Sequence, residues 1–211
     1  MITKQHGFTL IEMMIAMAIT LLVLSGVYEV FTSQQKAYNI QDQVAEMQQN
    51  ARVAMDMMTR EIRMAGYIHE SSDGDSNTDA PTSDVAGESF TGNGAEDIDE
   101  NGTNAITIEA DIDGNNQTDT VRYSLSGGNL VREIWTWNGT VWGASGGAQP
   151  IAENITSLIF TYDNAARSNI RLIQISITAR TAREDSGYTH SVNNDGYRTR
   201  TLTANVRPRN L

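Results

Sequence analysis

The feature that most constrains this chain is an apolar run near its N-terminus, from Phe8 to Phe31, which is interrupted at few positions. About 20 apolar residues in a helix span the hydrocarbon core of a bilayer, so this run is long enough to cross a membrane. A secretory signal peptide would have a shorter apolar part followed by a small-residue cleavage site, and no Ala-x-Ala pattern follows here. The run therefore predicts a transmembrane helix, and Lys4 before it favours a cytoplasmic N-terminus.

An acidic residue, Glu12, stands near the start of this apolar run. A carboxylate inside a membrane helix is costly unless it is paired, so it is a functional hypothesis by default. The stretch Gly7-Phe8-Thr9-Leu10-Ile11-Glu12 resembles the cleavage motif of type IV prepilins and pseudopilins, because a short polar leader precedes it and a long apolar run follows.

The resemblance implies specific roles for three residues. A membrane-embedded prepilin peptidase would remove the leader, residues 1–7, by cutting between Gly7 and Phe8, and would then methylate the new N-terminus at Phe8. Glu12 would pair with the α-amine of an adjacent subunit, so that its charge is satisfied only on assembly and sets the subunit register. The partners implied are other major and minor pilin subunits, the prepilin peptidase and an inner-membrane assembly platform.

A helical pattern continues beyond the transmembrane segment, 8–31, into residues 32–66. Small and apolar residues recur every three or four positions, which is the period of an amphipathic helix. Gly66 is a plausible stop for this helix. The stripe packs either against its own domain or, as a coiled coil, against a partner subunit. Its members are Ala37, Ile40, Val44, Met47, Ala51, Ala54, Met58 and Ala65.

The middle of the chain, residues 67–105, is rich in Gly, Ser, Asp, Asn and Thr and is predicted to be a loop. Between Glu70 and Asp119 there are 14 Asp and Glu residues and no Lys or Arg. Together with a net charge of −11, this composition argues against binding nucleic acid through a broad basic surface.

Clusters of alternating oxygen-bearing side chains in and beside this acidic segment suggest calcium, because calcium loops gather hard oxygen ligands around one ion. The cluster Asp97-x-Asp99-x-Asn101-Gly102 matches the first six positions of an EF-hand loop but has Ile108 at position twelve. The cluster Asp111-x-Asp113-x-Asn115 has Asn116 at the sixth position, where a glycine is expected. An acidic solvated loop with Asx turns is the alternative to a calcium site. The candidate ligands are Asp97, Asp99, Asn101, Asp111, Asp113, Asn115 and Asp119.

The C-terminal part, residues 106–211, has the two-residue period of β-strands. Two turn signals, Ser126-Gly127-Gly128-Asn129 and Asn138-Gly139, predict hairpins. The fold class expected is α+β: a long N-terminal helix, membrane-spanning in its first half, packed on an antiparallel β-sheet domain as in type IV pilins. The predicted strand runs are 106–108, 121–125, 130–135, 155–162, 170–177 and 199–206.

The sequence contains no recognisable catalytic motif and no cysteine, so the chain is not expected to be an enzyme and needs no cofactor except, if its acidic clusters bind it, Ca²⁺. Taken whole, it resembles the PilW-like minor pilins and the related J-type minor pseudopilins of type II secretion. The stretches that carry this resemblance are 58–67, 123–132, 175–180 and 206–210.

The resemblance implies a minor type IV pilin, a structural subunit that initiates or caps assembly of a pilus. It would be held in the bacterial inner membrane by a single span with its C-terminal domain in the periplasm, and would then enter the pilus, near its tip. Two alternatives stay open: a minor pseudopilin of a type II secretion pseudopilus, and a calcium-dependent adhesin at the pilus tip.

Overall fold

A computed structural model describes residues 7–66, 98–100, 103–114, 119–137, 142–144, 146–164 and 170–209. The chain divides into two compact units between Gln43 and Val44. One helix, α1, runs from Leu10 to Met64, which agrees within two residues at each end with the predicted segment 8–31 and its continuation over 32–66.

The first unit consists of the N-terminal part of α1, and its apolar side chains are exposed. From Phe8 to Phe31, every large apolar side chain exposes more than half of its surface, from 53% at Met13 to 87% at Phe8. The helix contains an apolar window long enough to cross a membrane, and none of that window is buried. Because exposed apolar surface is unfavourable in water, this unit requires lipid or other helices around it.

The C-terminal end of α1 is terminated as the sequence predicts. Gly66 follows the helix with a positive φ of 80°, a conformation that glycine adopts without steric cost. Its backbone N–H donates to the carbonyl oxygen of Glu109 at 3.0 Å, which connects the chain after α1 to a strand of the second unit.

The second unit contains two antiparallel sheets. The larger sheet has the strand order β1-β2-β3-β4-β5, and β6 pairs with the same edge of β4 as β5 does. Its strands are β1 (Ile98–Glu100), β2 (Ala105–Ala110), β3 (Asp119–Ser126), β4 (Asn129–Trp137), β5 (Trp142–Ala144) and β6 (Gln149–Ala152). The smaller sheet has the order β7-β8-β9, with β7 (Ile155–Tyr162), β8 (Ile173–Arg180) and β9 (Thr199–Val206).

The two predicted hairpins are confirmed. Ser126 and Asn129 pair across the first turn, in which Gly127 and Gly128 have φ values of 58° and 80°. Two successive positive φ values are typical of the type I′ turn that matches the twist of a hairpin. In the second hairpin, Trp137 of β4 pairs with Trp142 of β5.

The core of the second unit lies between the last turns of α1 and the two sheets. Met47, Ala51, Ala54, Met58 and Ala65 are buried in it, so this part of the stripe packs against its own domain, as the first of the two interpretations proposes. Both sheets supply large apolar residues to the same core, including Ile106, Val121, Leu130, Leu158, Phe160, Ile175 and Val206. Full burial of one such side chain contributes about 1.5–3 kcal/mol.

The structure corrects the predicted boundaries in several places. The acidic loop 67–105 contains a short strand, β1, because Ile98 and Glu100 pair with the edge of β2. Strand β2 begins at Ala105, β8 begins at Ile173 rather than residue 170, and there are two sheets where the sequence predicts one. Strand β6 contains Pro150. Proline has no backbone N–H to donate to a neighbouring strand, so it is tolerated in an edge strand such as β6, which pairs with β4.

Candidate functional site

The start of α1 is closed by a reciprocal pair of hydrogen bonds between Thr9 and Glu12. The backbone N–H and the hydroxyl of Thr9 both donate to Oε2 of Glu12, at 2.8 Å and 2.9 Å. In return, the backbone N–H of Glu12 donates to the Thr9 hydroxyl at 3.3 Å. This is a capping box, with Thr9 as the N-cap and Glu12 three residues later. The sequence pattern Thr-x-x-Glu contains the signal for this cap, which the sequence analysis missed.

Gly7 and Phe8 lie immediately before this cap. Both are exposed, and with Thr9 they precede the first helical residue, Leu10. The peptide bond between Gly7 and Phe8 therefore lies outside the hydrogen-bonded helix. An exposed peptide outside regular secondary structure is a form of substrate that a peptidase can bind without first unwinding a helix.

A second group of functional candidates lies where β2 ends and β3 begins. Ala110 and Asp119 are paired at the end of this ladder, so Asp111, the first residue after β2, is brought close to Asp119 of β3 although eight positions separate them. One carboxylate oxygen of each of Asp111, Asp113 and Asp119 lies within 4.8 Å of the other two. Three of the seven predicted calcium ligands are thus neighbours.

Two of these three acids are buried. Asp111 and Asp119 each expose 3% of their surface, whereas Asp113 is exposed. The pKa of Asp119 is raised to about 6, chiefly by desolvation and to a smaller extent by the nearby Asp113 and Asp111, while the Ile112 N–H that donates to its Oδ2 at 3.3 Å opposes the shift. Oδ1 of Asp119 is buried without a hydrogen-bond partner.

The other four predicted ligands are Asp97, Asp99, Asn101 and Asn115. Asp97, Asn101 and Asn115 lie outside the described residues. The backbone of Asp99 belongs to strand β1 rather than to a loop, at the point where the register with β2 shifts between Ile98 and Glu100.

The structure also shows a buried polar group that the sequence analysis missed. Glu61, on α1, exposes 2% of its surface and accepts hydrogen bonds from Arg132 on β4 and from the hydroxyl of Tyr123 on β3. Burial and the neighbouring Glu61 raise the pKa of the Tyr123 hydroxyl, so it stays protonated and donates. The sequence signal for this buried acid was the seven-residue gap between Met58 and Ala65 in the apolar stripe. Glu61 lies in that gap and occupies a core position.

Comparison with known protein families agrees with this architecture. The N-terminal region, residues 2–28, matches the prokaryotic N-terminal methylation motif. Most of the remaining chain, residues 40–204, matches the model of prepilin peptidase-dependent protein B. The chain belongs to the prepilin peptidase-dependent protein B family.

Membership of this family confirms the resemblance to prepilin-type proteins, and the α+β class is confirmed by the fold itself. Among solved structures, a type IV-like pilin from Thermus thermophilus is similar, with a TM-score of 0.44 and 9% sequence identity over 77% of this chain and 97% of that chain. A comparison with curated proteins gives no match. As a family member with the methylation motif and an apolar helix, the chain is a pilin-like protein anchored in the inner membrane.

Proposed function

We propose that this member of the prepilin peptidase-dependent protein B family is a minor pilin that initiates or caps assembly of a type IV pilus. Prepilin peptidase cuts between Gly7 and Phe8, and Phe8 becomes the methylated N-terminus. The mature subunit waits in the inner membrane with the second unit in the periplasm, and then joins major and minor pilin subunits through its N-terminal helix at the assembly platform.

The observation that carries this proposal is the exposed apolar surface of α1 with one capped carboxylate at its start. More than half of every large apolar side chain from Phe8 to Phe31 is exposed. Lipid covers this surface in the stored subunit, and neighbouring helices cover it in a filament. Small residues, including Ala16, Ala18 and Gly26, allow those helices to approach closely.

Glu12 gives the transfer from membrane to filament its specificity. In the isolated subunit the carboxylate accepts two hydrogen bonds from Thr9, which lowers the cost of keeping it at the margin of the membrane. Among the described residues, these Thr9 contacts supply hydrogen bonds but no counter-charge for the carboxylate. The methylated α-amine of a neighbouring subunit supplies that counter-charge on assembly, and only one axial position of the neighbour brings the amine within reach.

The contacts of the buried Glu61 in the second unit are consistent with a structural role for this acid rather than a catalytic one. Glu61 is held by Arg132 and Tyr123 in a contact that joins α1 to the larger sheet. A carboxylate held by an arginine and a protonated tyrosine is poorly suited to accept a proton from a substrate.

A clean gene deletion tests the proposed function, scored in parallel for surface pili by electron microscopy and for exported proteins in the culture medium. The minor-pilin role predicts loss or severe reduction of pili with normal export, restored by the gene in trans. Retained pili with lost export would contradict this role and indicate a type II secretion pseudopilus.

The role of Glu12 is tested by Glu12→Gln, with Glu29→Gln in the same helix as the matched control. Glutamine keeps a hydrogen-bond acceptor for the cap but has no charge to pair with an amine. We expect Glu12→Gln to insert in the membrane and to be cleaved normally, but to be reduced at least about tenfold in sheared pili, the effect of one charge pair worth ~1.4 kcal/mol. Equal incorporation of the two variants would refute the role of the charge.

A further inference from the structure

We propose that the carboxylates of Asp111, Asp113 and Asp119 bind one calcium ion at the corner between β2 and β3. This site goes beyond the assembly function and does not depend on it. It is built by the antiparallel pairing of β2 with β3, which places the first residue after β2 beside the first residue of β3.

The spacing of the three carboxylates fits one ion of this size. Calcium is bound by oxygen atoms at about 2.3–2.6 Å, so two ligands on opposite sides of the ion are about 5 Å apart. One oxygen from each of Asp111, Asp113 and Asp119 lies within 4.8 Å of the others. All three can therefore contact a single ion, and water supplies further ligands on the side of the exposed Asp113.

An independent observation points to a missing ligand at the same place. Asp119 exposes 3% of its surface; its Oδ2 accepts a hydrogen bond from the Ile112 N–H, whereas its buried Oδ1 has no hydrogen-bond partner. A buried carboxylate oxygen without a partner is costly, and such groups are usually satisfied by hydrogen bonds or by a metal. A cation at the centre of the three acids would satisfy Oδ1 and would also remove the repulsion among the carboxylates.

A basic side chain does not provide the counter-charge for Asp119 in the described part of the hairpin. The chain has no Lys or Arg between Glu70 and Asp119. The next base, Arg122, is three positions along β3 and therefore on the opposite face of the strand, where it lies 3.8 Å from Glu133.

The donor set favours calcium among the metals. All three groups are carboxylates, which are hard ligands suited to calcium, magnesium and manganese rather than to zinc or copper. Calcium tolerates the irregular geometry of a strand end completed by water, whereas magnesium demands a near-ideal octahedron. The ion would fix the two ends of the β2–β3 connection relative to each other.

The test is a calorimetric titration of CaCl₂ into the full-length protein in detergent, after treatment with EDTA. The expected result is saturable binding of one ion per chain with an apparent Kd on the order of 0.1–1 mM, as in extracellular calcium modules. At 10 mM CaCl₂ the melting temperature should rise by about 3–10 °C. MgCl₂ at the same concentration should give a smaller shift, and an equal shift would overturn the assignment to calcium.

Variants locate the ion. Asp119→Asn removes the buried ligand, and Asp113→Asn removes an exposed ligand whose loss should leave the fold intact; each should weaken binding at least about tenfold. Two control variants with the same charge change should bind as the wild type does: Asp56→Asn on the exposed face of α1 and Asp84→Asn in the acidic segment. Absence of binding by the folded wild-type protein overturns the proposal, and so does unchanged binding in both Asp113→Asn and Asp119→Asn.

Discussion

Glu61 and Arg132 form a two-point ion pair: Nε and Nη2 of Arg132 each donate to one carboxylate oxygen of Glu61, both at 2.9 Å. The pair connects α1 to β4, and the exposed fraction of the side chain is 13% for Arg132 and 3% for Glu61. The Tyr123 hydroxyl donates to the same carboxylate from β3. The last turns of the helix are thus attached to the larger sheet by a charged contact within the core.

The first prediction concerns this buried pair. Glu61→Ala should lower the free energy of unfolding by about 3–5 kcal/mol, because Arg132 and Tyr123 are left buried without their acceptor. The matched control is Glu133→Ala, which breaks the more exposed contact with Arg122 at 3.8 Å and should cost less than about 1 kcal/mol. Thermal denaturation followed by circular dichroism measures both. Similar melting temperatures for the two variants would show that the buried pair does not stabilise the fold.

The second prediction separates the cap of α1 from the charge of Glu12. Thr9→Val removes the hydroxyl that donates to the Glu12 carboxylate and accepts from the Glu12 backbone N–H. The backbone N–H of residue 9 remains as a donor to the carboxylate. The lost cap costs about 1 kcal/mol of helix stability, so we expect a modest reduction in pilus incorporation, smaller than that of Glu12→Gln.

The control for this variant is Thr20→Val in the same helix, where the hydroxyl donates only to the carbonyl oxygen of Ala16. Immunoblots of sheared pili, normalised to the membrane pool, measure the incorporation of each variant. If Thr9→Val reduced incorporation as strongly as Glu12→Gln does, the cap rather than the charge would be the essential feature.

The third prediction concerns processing at the N-terminus. Intact-mass spectrometry of the protein from cells with prepilin peptidase should show a chain that begins at Phe8 and carries one methyl group. The protein from peptidase-deficient cells should retain residues 1–7. A start at any other residue would contradict the proposed cleavage site.

The fourth prediction follows from the raised pKa of Asp119, about 6 in the folded protein. The unfolded chain ionises this carboxyl near pH 4, so its burial opposes folding increasingly as the pH rises from about 4 to about 6, and fully above that. In EDTA, Asp119→Asn should therefore gain melting temperature relative to the wild type at pH 7.5, and the difference should shrink toward pH 4.

Asp163→Asn provides the control of opposite sign. The Arg171 backbone N–H, which donates to Oδ1 of Asp163 at 3.0 Å, lowers the pKa of that carboxyl. Its contribution to stability is present above its unfolded pKa and is lost as the pH falls through its folded pKa. Asp163→Asn should therefore be less stable than the wild type at neutral pH, with a smaller difference in acid. Parallel pH profiles for the two variants would rule out this account of Asp119.

Local pattern was sufficient for much of the fold. The apolar run from Phe8, the stop at Gly66 and the turn at Gly127-Gly128 depend on contacts within a few residues, so they could be predicted from the sequence. Strand β1 could not, because a three-residue strand in an acidic segment owes its existence to pairing with β2. The start of β8 at Ile173 is likewise set by its partners, Tyr162 of β7 and Val206 of β9.

The candidate sites divide in the same way. The sequence by itself determined the prepilin motif and the membrane-spanning helix, because these properties are a matter of spacing and hydrophobicity along one segment. Only the tertiary structure decided which charged residues lie close together. It brought Asp111 and Asp119 together through strand pairing and joined Glu61 to Arg132 across 71 positions. It also placed Asp99 in a strand. The physical reason is that charges in a folded protein interact according to distance in space, and that distance is set by how the helix and sheets pack.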